Sequence, residues 1–368
     1  MTILTLVAGT RPNFTKVAPL IRALERTQGA LQYRLVHTGQ HYDRTMNDVF
    51  FEELGIPQPH VNLACGGGSH AEQTGRIMVQ FEREIQANRP DWVIVVGDVN
   101  STLACSIVAR KMGVRVAHVE AGLRSGDMTM PEEINRLVTD SISDLFFATE
   151  QSACANLARE GKPAERVHFV GHVMVDNLFY QAKILDKTDV SAFPTESLKR
   201  ELLGSAGRYG VVTLHRPANV DAADTFEAIL GALAELAEGL PLVWPVHPRT
   251  RKRMVEGGLA VPKGLILTDP LPYMEFLNLW RDAAIVLTDS GGLQEETTAL
   301  GVRCVTIRDT TERPVTIDQG TNVLAGLDRG RIVRLATEAM SREPRSSRPP
   351  LWDGRSAERI VDVLLGNA

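Results

Sequence analysis

The sequence predicts an α/β protein made of two doubly wound parallel-sheet domains, and three observations support this prediction. Short runs rich in β-branched and aromatic residues alternate with amphipathic stretches, a pattern typical of a parallel sheet covered by helices. The series of runs ends midway along the chain and then starts again. The 368 residues also exceed what one hydrophobic core usually accommodates.

The predicted strands fall into two series. Those of the first series are Ile3–Val7, Tyr33–His37, Trp92–Val96, Val114–Val119, Leu145–Ala148 and Val167–Val170. Those of the second series are Val211–Leu214, Leu242–Val246, Leu265–Leu267, Ile285–Thr288 and Val305–Ile307. Between the first two strands, Val17, Leu20, Ile21 and Leu24 recur at helical spacing, which predicts a helix with one apolar face.

The boundary between the domains is expected in residues 172–208, which contain a helix-like segment and a polar stretch with weak hydrophobic periodicity. We therefore expect an N-terminal Rossmann-like domain over residues 1–171 and a C-terminal one over residues 172–350. The prolines of residues 343–352 cannot continue a helix and predict a connector. A last short amphipathic helix is expected within residues 351–368. Ligands of such sheets bind outside the carboxyl ends of the strands, so chemical motifs should follow strands directly.

The overall composition argues against nucleic acid and membranes as partners. The formal net charge of −5 provides no strong positive field. No uninterrupted apolar run reaches the length of about 18 residues that predicts a membrane span. The four cysteines lack the spacing of a zinc site or a disulfide framework. We therefore expect a cytoplasmic protein without a metal or a cofactor.

The loop of most specific composition is Asp289–Glu296, directly after a predicted strand. Gly291 and Gly292 let the backbone approach a ligand closely, and a helix that starts here directs free N–H groups at an anion. Glu296 lies roughly 6 Å further along that helix, where a ribose would lie if a diphosphate were bound at the helix start. A tight turn with solvated carboxylates is the alternative, but it leaves the coincidence of four special residues unexplained.

A second loop, Gly9–Lys16, follows the first predicted strand. Pro12 suits a first helical turn, and Arg11 and Lys16 bring positive charge to the strand end. Taken alone, the loop fits ordinary basic surface residues equally well. Neither GxxxxGK[ST] nor GxGxxG occurs in the chain, which argues against a Walker A site and against NAD or FAD.

Acidic loops follow other predicted strands in the first half of the chain. Asp98 and Glu120 each come directly after a strand, and Glu132 and Glu133 lie in the segment Met130–Arg136. Each carboxylate alone is more often a helix cap or an ion-pair partner. Together they place several carboxylates near one site, where crowding and burial can raise one pKa and keep another group ionised. General acid/base chemistry requires such a difference.

The second half of the chain has two histidines beside arginines at predicted strand ends. These are His215-Arg216 and His247-Pro248-Arg249. A lone histidine at such a place is usually structural. Two of them, each close to an arginine, indicate an anion-binding or proton-transfer site.

These loops, in this order, resemble those of the non-hydrolysing UDP-N-acetylglucosamine 2-epimerases. The similarity covers nearly the whole chain, and the combination is far more specific than any one loop. The matching segments are Gly9–Pro12, Gly97–Asp98, His118–Arg124, Pro131–Glu133, His215–Arg216, Pro245–Pro248, Asp289–Glu296 and Arg308–Pro314.

The resemblance implies a GT-B fold with the active site in the cleft between the two domains, a last helix that crosses back to the first domain, and a homodimer. It also implies the interconversion of UDP-GlcNAc and UDP-ManNAc. In this reaction UDP is eliminated across C1–C2 to leave 2-acetamidoglucal, and it is added back after C2 is protonated on the other face. The reaction requires a positioned base, a stabilised leaving group and an acid on the opposite face.

The resemblance further assigns site residues by matching position. The acid/base candidates are Asp98, Glu120 and Glu132, assisted by Lys16 and His215, and which carboxylate removes the proton stays open. The residues expected to hold UDP are Arg11, Ser290, Gly291, Gly292, Glu296 and Arg313. In this family a second UDP-GlcNAc can bind as an activator, and the matching residues are Gln40, His41, Gln73, Arg216 and His247.

Three positions depart from the common pattern of the family. Asn13 stands where many members have Glu, Pro217-Ala218 where an Arg-Glu or Ala-Glu pair is common, and Gly171-His172 where Gly-Asn is common. These positions lie in loops around the sugar and the expected activator. The sequence therefore constrains the identity of the sugar and the activation less than it constrains UDP binding.

Three alternative functions remain open. A hydrolysing relative would release free ManNAc and UDP. A second alternative is an epimerase of a related UDP-sugar, such as a diacetamido uronic acid. From a different class, a GT-B glycosyltransferase or a non-catalytic nucleotide-sugar-binding regulator would use the same fold. The acidic loops are richer than a simple transferase needs, which favours the epimerase.

Overall fold

The computed structural model describes residues 1–40, 51, 54–343 and 348–367, which form two compact units. Unit 1 comprises Met1–Tyr180 and Pro350–Ala368, and unit 2 comprises Gln181–Pro349. The chain therefore leaves unit 1, forms all of unit 2 and then returns to unit 1.

Unit 1 contains a parallel sheet with helices on both faces. Its strands are β1 (Thr2–Ala8), β2 (Leu31–His37), β3 (Val61–Asn62), β4 (Trp92–Val96), β5 (Arg115–Val119), β6 (Leu145–Ala148) and β7 (Val167–Phe169). They are arranged in the order β3-β2-β1-β4-β5-β6-β7. Its helices are α1 (Arg11–Glu25), α2 (His70–Ala87), α3 (Asn100–Lys111), α4 (Pro131–Ile142), α5 (Gln151–Arg159), a 3-10 turn (Ala164–Arg166) and α6 (Val173–Leu185), which continues into unit 2.

The central strands of this sheet are continuous apolar runs because both of their faces are covered. Every residue of β4 is buried, and so is every residue of β6. Within β4, Ile94 joins the apolar cluster formed with α1, whereas Val93 and Val95 join the cluster formed with α2 and α3. Alternate residues of a strand point to opposite faces, so two-sided burial removes the polar/apolar alternation of a half-exposed strand.

The last helix, α15 (Ser356–Gly366), completes the core of unit 1. Ile360, Val361 and Leu364 are 0, 4 and 2 % exposed and pack in the same apolar cluster as α1. Burial of each such side chain contributes about 1.5–3 kcal/mol. The backbone N–H of Ala357 donates to the buried carboxylate of Asp176 at 2.7 Å, which fixes the start of the helix.

Unit 2 repeats the architecture of unit 1. Its strands are β8 (Gly210–Thr213), β9 (Leu242–Pro245), β10 (Leu265–Thr268), β11 (Ile285–Thr288), β12 (Cys304–Thr306) and β13 (Asn322–Leu324), in the parallel order β10-β9-β8-β11-β12-β13. Its helices are a 3-10 turn (Val190–Ala192), α7 (Pro194–Ala206), α8 (Pro217–Val220), α9 (Ala223–Ala237), α10 (Pro248–Glu256), α11 (Tyr273–Trp280), α12 (Gly291–Leu300), α13 (Pro314–Asp318) and α14 (Arg329–Ser341).

The two parallel sheets confirm the predicted α/β fold class, and the predicted strands lie within two residues of the observed ones. β3 and β13 were not predicted, since two and three residues are too few to show a hydrophobic period. Residues 172–208 contain two helices, α6 and α7, whereas one helix-like segment and a polar stretch were expected. Pro194 suits the first turn of α7, and Gly207 ends it with φ of 70°. Among the helices that the structure describes, none is long and apolar enough to cross a membrane.

Candidate active site

Each sheet has a point where the strand order reverses, and these two points define the candidate site regions. In unit 1 the reversal lies between β1 and β4, and in unit 2 it lies between β8 and β11. Ligands of open parallel sheets bind outside the carboxyl ends of the strands at such a point. Most of the predicted site residues lie in the loops and helices that follow these strands or the neighbouring strand β5.

Asn13 ties the loop after β1 to the neighbouring strand. Its Oδ1 accepts the backbone N–H groups of Gly9 and Thr10, both at 3.1 Å, and its Nδ2 donates to the carbonyl of Val96 at 3.1 Å. Gly9 has no room for a side chain, because a Cβ there would lie 2.1 Å from Oγ of Ser101. A buried amide therefore holds this loop directly before α1, which begins at Arg11.

Lys16 and Glu120 form a buried ion pair at the reversal point. Nζ of Lys16 lies 2.5 Å from Oε2 of Glu120, and the two side chains are 7 and 2 % exposed. Glu120 has φ of 74°, a left-handed conformation that residues other than glycine rarely adopt. The carbonyl of Phe147 accepts the N–H groups of Glu120 and Ala121 at 3.0 and 3.1 Å and so supports this conformation. Backbone strain of this kind, about 1–3 kcal/mol, is concentrated at functional sites.

Asp98, directly after β4, is held through both its side chain and its backbone. Arg136 on α4 donates to Oδ2 of Asp98 at 2.5 Å, and Nδ2 of Asn135 donates to the backbone carbonyl of Asp98 at 2.8 Å. The Asp98 side chain is 25 % exposed, whereas that of Arg136 is 4 % exposed. The carboxylate is therefore fixed by a buried cation and remains accessible to a ligand.

Of the two adjacent glutamates in the first turn of α4, Glu133 is buried and Glu132 is exposed. The carboxylate of Glu133 accepts the N–H groups of Ser125 and Gly126, both at 3.0 Å, and a bond from Arg136 at 2.7 Å. Burial alone would raise the pKa of Glu133, but these donors outweigh it and lower the pKa. Glu133 thus holds Arg136 beside Asp98, and the acid/base role of Glu132 stays a prediction.

His118 and Asp140 form a fully buried pair behind the acidic loops. Nδ1 of His118 lies 2.7 Å from Oδ1 of Asp140, and Nε2 lies 2.8 Å from the carbonyl oxygen of Gly97. The other carboxylate oxygen of Asp140 accepts the N–H of Gly122 at 3.0 Å and pairs with Arg124 at 2.7 Å. Burial alone would raise the pKa of Asp140, but His118 and Arg124 outweigh it and lower the pKa. The pair therefore connects α4 with the loops after β4 and β5.

Two of the predicted activator residues contact the first turn of α3. Oε1 of Gln40 accepts the hydroxyl of Ser101 at 2.8 Å, and Oε1 of Gln73 accepts Nδ2 of Asn100 at 2.9 Å. Since α3 begins two residues after Asp98, the structure brings both glutamines close to the acidic loops. His41, the third predicted activator residue of this unit, lies outside the described residues.

In unit 2, Asp289 organises the loop after β8. Its fully buried carboxylate accepts the backbone N–H groups of His215 and Arg216 at 3.0 and 2.9 Å and Nδ2 of Asn219 at 3.1 Å. Nδ1 of His215 lies 2.8 Å from Oδ1 of Asp289, while the His215 side chain is 58 % exposed. Asp289 therefore orients an imidazole whose other ring nitrogen is available to a ligand.

Helix α12 begins at Gly291, immediately after Ser290, and the Ser290 side chain makes no capping hydrogen bond to it. A Cβ on Gly291 would lie 2.9 Å from Oε1 of Glu312, so a side chain at this position would require the end of the Glu312 side chain to shift. Burial alone would raise the pKa of Glu312, but bonds from Arg308 and the charge of Arg313 hold it at about 2. Glu312 also lies 3.6 Å from Arg216, so arginines surround the carboxylate beside this helix start.

Further along α12, two adjacent glutamates have different partners. Glu295 is buried and pairs with Arg313 at 2.5 Å, which holds the loop after β12 against the helix. Glu296 is half-buried and accepts the hydroxyl of Tyr273 at 3.1 Å. Burial raises the pKa of Glu296 to about 7; the Tyr273 bond opposes this shift, and the charge of Glu295 adds to it. Glu296 therefore titrates near neutral pH.

His247 is the N-cap residue of α10. Its Nδ1 accepts the backbone N–H of Arg249 at 3.3 Å, and the residue is exposed. This local contact is one that capping residues commonly make. The predicted role of His247 in an activator site stays a prediction.

Three residues that position the site were not assigned from the sequence. Arg136 and Asp140 of α4 hold the acidic loops of unit 1, and Gln294 connects two loops of unit 2. Nε2 of Gln294 donates to the carbonyl of Ser290 at 3.1 Å, and its Oε1 accepts the hydroxyl of Thr311 at 2.7 Å. The spacing of Glu133, Arg136 and Asp140 at i, i+3 and i+7 was the available signal, because it places three charged residues on one helical face.

No group of three or more His, Cys, Asp or Glu side chains in the described ranges has an arrangement that would hold a metal ion. Several carboxylates of the candidate site are paired with lysine, arginine or histidine, as in Lys16–Glu120, Asp98–Arg136 and His215–Asp289. The chemistry that these loops offer is proton transfer and anion binding by protein side chains.

Comparison with known proteins agrees with this geometry. The family model described as UDP-N-acetylglucosamine 2-epimerase matches residues 22–365. The UDP-N-acetylglucosamine 2-epimerase of Methanocaldococcus jannaschii is 41 % identical over 368 residues, with 98 % of each chain covered. The crystal structure of the M. jannaschii enzyme in complex with UDP-GlcNAc and UDP has a TM-score of 0.84 and covers 98 % of this chain and 99 % of that chain at 41 % identity. The UDP-2,3-diacetamido-2,3-dideoxy-D-glucuronate 2-epimerase of Pseudomonas aeruginosa is 38 % identical, with 99 % of each chain covered.

Two Rossmann-like units with parallel sheets, together with these structural neighbours, confirm the GT-B class that the sequence predicted. Within that class, the chain belongs to the UDP-N-acetylglucosamine 2-epimerase family. The resemblance found in the loops of the sequence is thereby confirmed.

Proposed function

We propose that the protein interconverts UDP-GlcNAc and UDP-ManNAc by inversion at C2 without hydrolysis. A base removes the C2 proton while the C1–O bond to UDP breaks, and the electron pair of the C2–H bond forms the C1=C2 double bond of 2-acetamidoglucal. An acid then delivers a proton to the opposite face of C2, and an oxygen of the UDP diphosphate forms the new bond at C1. Water is neither consumed nor released.

The observation that carries this proposal is the pairing of two carboxylates with buried cations at the reversal point of unit 1. Glu120 is paired with Lys16, and Asp98 is paired with Arg136. The two carboxylates follow β5 and β4, which are adjacent strands of the sheet. Two carboxylates in different surroundings suit a reaction that takes a proton on one face and returns one on the other. Asp98, Glu120 and the exposed Glu132 are the acid/base candidates, and Lys16 assists by fixing Glu120.

The UDP group is proposed to bind through the loops after β8 and β11. The glycine-rich start of α12, Ser290 with Gly291 and Gly292, offers backbone N–H groups to a diphosphate. Glu296 is then the partner of the ribose hydroxyls, Arg313 contributes positive charge, and the Asp289-oriented His215 assists proton transfer. The side chain of Arg11 lies outside the described part of the structure, and its proposed contact with UDP rests on the resemblance. The complex of the M. jannaschii relative with UDP-GlcNAc and UDP supports a ligand of this class.

Proton NMR of the protein with UDP-GlcNAc in deuterated water tests the reaction. The expected product is UDP-ManNAc that carries deuterium at C2, without accumulation of free UDP. Free ManNAc and UDP that increase together would instead show the hydrolysing reaction. UDP binding without any exchange at C2, with or without sugar acceptors, would contradict the epimerase proposal and favour a binding regulator.

Asp98→Asn and Glu120→Gln test the two acid/base positions. We expect both variants to fold, to bind UDP, and to lose at least about 100-fold in turnover, as is typical when a positioned proton-transfer group is removed. Asp144→Asn is the matched control, because Asp144 pairs with Arg110 at 2.7 Å but lies directly before β6, at the amino ends of the strands. Wild-type rates in both test variants would remove these residues from the mechanism.

A related sugar is a second candidate substrate, because the P. aeruginosa relative named for a diacetamido glucuronate is nearly as similar to this chain as the M. jannaschii enzyme. Comparison of kcat/KM for UDP-GlcNAc and for the diacetamido uronate in one assay separates the two. A higher kcat/KM for the diacetamido uronate would mean that this UDP-sugar is the substrate and is epimerised by the same mechanism.

We further propose a homodimer in which a second UDP-GlcNAc activates each subunit through Gln40, His41, Gln73, Arg216 and His247. The contacts of Gln40 and Gln73 with the first turn of α3 support this, because they connect an activator to the loop of Asp98. The expected result is a sigmoidal dependence of rate on UDP-GlcNAc and a slow reverse reaction from UDP-ManNAc alone. Analytical ultracentrifugation measures the assembly, and hyperbolic kinetics would contradict the activation.

A further inference from the structure

Both ring nitrogens of His118 lie against hydrogen-bond acceptors. Nε2 lies 2.8 Å from the carbonyl oxygen of Gly97, which can only accept, so Nε2 carries a proton. Nδ1 lies 2.7 Å from Oδ1 of Asp140, and the ring is 0 % exposed, so water cannot replace either partner. The hydrogen-bond partners of His118 and Asp140 therefore determine which atoms of this pair carry protons.

The shared proton belongs to the imidazole if Asp140 is ionised. Oδ2 of Asp140 accepts the N–H of Gly122 at 3.0 Å and pairs with Arg124 at 2.7 Å, and Arg124 pairs in turn with Glu160 at 2.7 Å. Both donors favour the carboxylate over the neutral acid. Two cations and two anions then alternate through the chain His118, Asp140, Arg124 and Glu160, so a protonated His118 leaves no uncompensated buried charge.

We propose that His118 is a positioning residue with a proton on both ring nitrogens. It fixes the acidic loops after β4 and β5 relative to each other and takes no part in proton transfer. The inference rests on the epimerase function proposed for those loops. One N–H fixes the carbonyl of Gly97, directly before Asp98, and the other fixes the Asp140 carboxylate that holds Gly122, two residues after Glu120. A neutral imidazole has one N–H and can make only one of these two bonds.

The charges around the ring come from three elements. Asp140 and Arg136 lie on α4, Arg124 lies in the loop after β5, and Asp98 follows the Gly97 carbonyl after β4. Because α4 holds Asp98 through Arg136 and the Glu120 loop through Asp140, one rigid helix sets the distance between the two candidate proton-transfer groups. His118 lies on β5 and connects the sheet with this helix through its contacts with Asp140 and the Gly97 carbonyl.

Nitrogen-15 NMR of the protein labelled at histidine measures the protonation of the ring directly. His118→Gln identifies the signals of His118 by their loss. We expect both nitrogens of His118 to carry a directly bonded proton at pH 7.5 in the absence of substrate, because both lie against acceptors. A neutral ring at pH 7.5 in the folded wild-type protein would overturn the inference, whether or not the protein epimerises UDP-GlcNAc.

His118→Gln and Asp140→Asn test the positioning role. Displacement of a catalytic group by about 1 Å costs about 100-fold in rate, so we expect kcat to fall by that order while KM for UDP-GlcNAc changes less than about threefold. In Asp140→Asn we expect only one ring nitrogen of His118 to carry a proton at pH 7.5, because the charge of the carboxylate is lost. His168→Gln is the control: His168 lies on β7 in the same sheet, and its Nε2 has no hydrogen-bond partner among the described residues.

The control should keep kcat within about twofold of the wild type. Wild-type kcat in a folded His118→Gln variant would contradict the positioning role. If the wild-type protein binds UDP but converts no sugar, the epimerase proposal fails while the NMR result still decides the protonation of His118. If His118→Gln does not fold, sequential resonance assignment of the wild-type protein identifies the His118 ring signals instead, and the same NMR measurement still tests the inference.

Discussion

At the residue scale, Glu296 is the proposed partner of the ribose, and burial changes the protonation of its side chain. Its pKa of about 7 means that a large part of the population carries a proton at neutral pH, because burial penalises the carboxylate. The hydroxyls of a ribose donate hydrogen bonds, and a carboxylate accepts them better than a neutral acid does. Ligand binding should therefore lower the pKa of Glu296 and release a proton.

This coupling predicts that the affinity for UDP-GlcNAc rises with pH through about 7 and becomes constant above it. A group with a pKa of about 7 is roughly one tenth ionised at pH 6, so we expect binding up to about tenfold weaker at pH 6 than at pH 8. Isothermal titration calorimetry at several pH values measures this, in an Asp98→Asn background in which turnover is expected to be slow. Glu296→Gln, which cannot ionise, should show weaker binding without the pH dependence. A flat profile in the protein that retains Glu296 would contradict the ribose assignment.

Residue types at strand ends were predictable from the sequence, but their partners were not. Asp98 and Glu120 stand out because charged residues rarely follow apolar runs without a role. The cations that hold them, Arg136 and Lys16, come from positions 38 and 104 residues away along the chain (136 − 98 and 120 − 16). Nothing in a single sequence specifies such pairs. Which of Glu132 and Glu133 is buried depends on which side of α4 faces the sheet. The sequence alone does not fix the rotation of the helix closely enough to distinguish two adjacent residues.

At the scale of elements, the close contact between the β1 loop and α3 depends on one missing side chain. In Gly9→Ala, the new Cβ would lie 2.1 Å from Oγ of Ser101 and 2.8 Å from Oγ1 of Thr38. Relief of this overlap requires movement of the loop or of α3. We expect the free energy of unfolding to fall by about 1–3 kcal/mol, with a loss of turnover because Ser101 also contacts Gln40.

Gly75→Ala is the matched control, since Gly75 lies inside α2 and, apart from the chain immediately around it, no heavy atom of the described residues lies within 4 Å of a Cβ built on it. The same substitution there should raise the free energy of unfolding by about 0.5–1 kcal/mol, because alanine restricts the unfolded chain and favours helix. Urea unfolding followed by circular dichroism measures both variants. Equal stability changes of the two would show that the overlap at Gly9 is relieved without cost.

The strands were the most predictable elements, because burial on both faces leaves continuous apolar runs such as Trp92–Val96. The short edge strands β3 and β13 depend on pairing with a neighbour rather than on their own composition, and they were not foreseen. Helix α7 was also missed, since its amphipathic pattern is interrupted by polar residues that are buried in the structure. Thr195, Glu196 and Lys199 are 5, 7 and 7 % exposed there, and Lys199 donates to the carbonyl of Asn278 at 3.0 Å.

At the scale of the whole molecule, unit 1 is built from two distant parts of the chain. Ile360 on α15 is fully buried in the apolar cluster that also contains α1. Ile360→Ala should lower the free energy of unfolding by about 2–5 kcal/mol, because it leaves a cavity in this core. Leu365→Ala on the same helix is the control: Leu365 is 39 % exposed, and its loss should change stability by no more than about 0.5 kcal/mol.

Amide hydrogen exchange shows where the Ile360→Ala effect appears. The protection of the amides in α1 should decrease in Ile360→Ala and stay unchanged in Leu365→Ala, since α1 packs directly against α15. Unchanged protection of α1 in both variants would mean that α15 does not stabilise unit 1.

The return of α15 to unit 1 has a consequence for the protein while it is being made. Chains emerge from the ribosome at about 5–20 residues per second, N-terminus first. The apolar side chains of α1 that α15 covers are therefore synthesised early, and their covering arrives only after the whole of Gln181–Pro349 has been translated. The interval is on the order of ten seconds or more at these rates. A nascent chain of this protein thus carries an open hydrophobic surface during most of its synthesis, which makes it a candidate for protection by a chaperone at the ribosome exit.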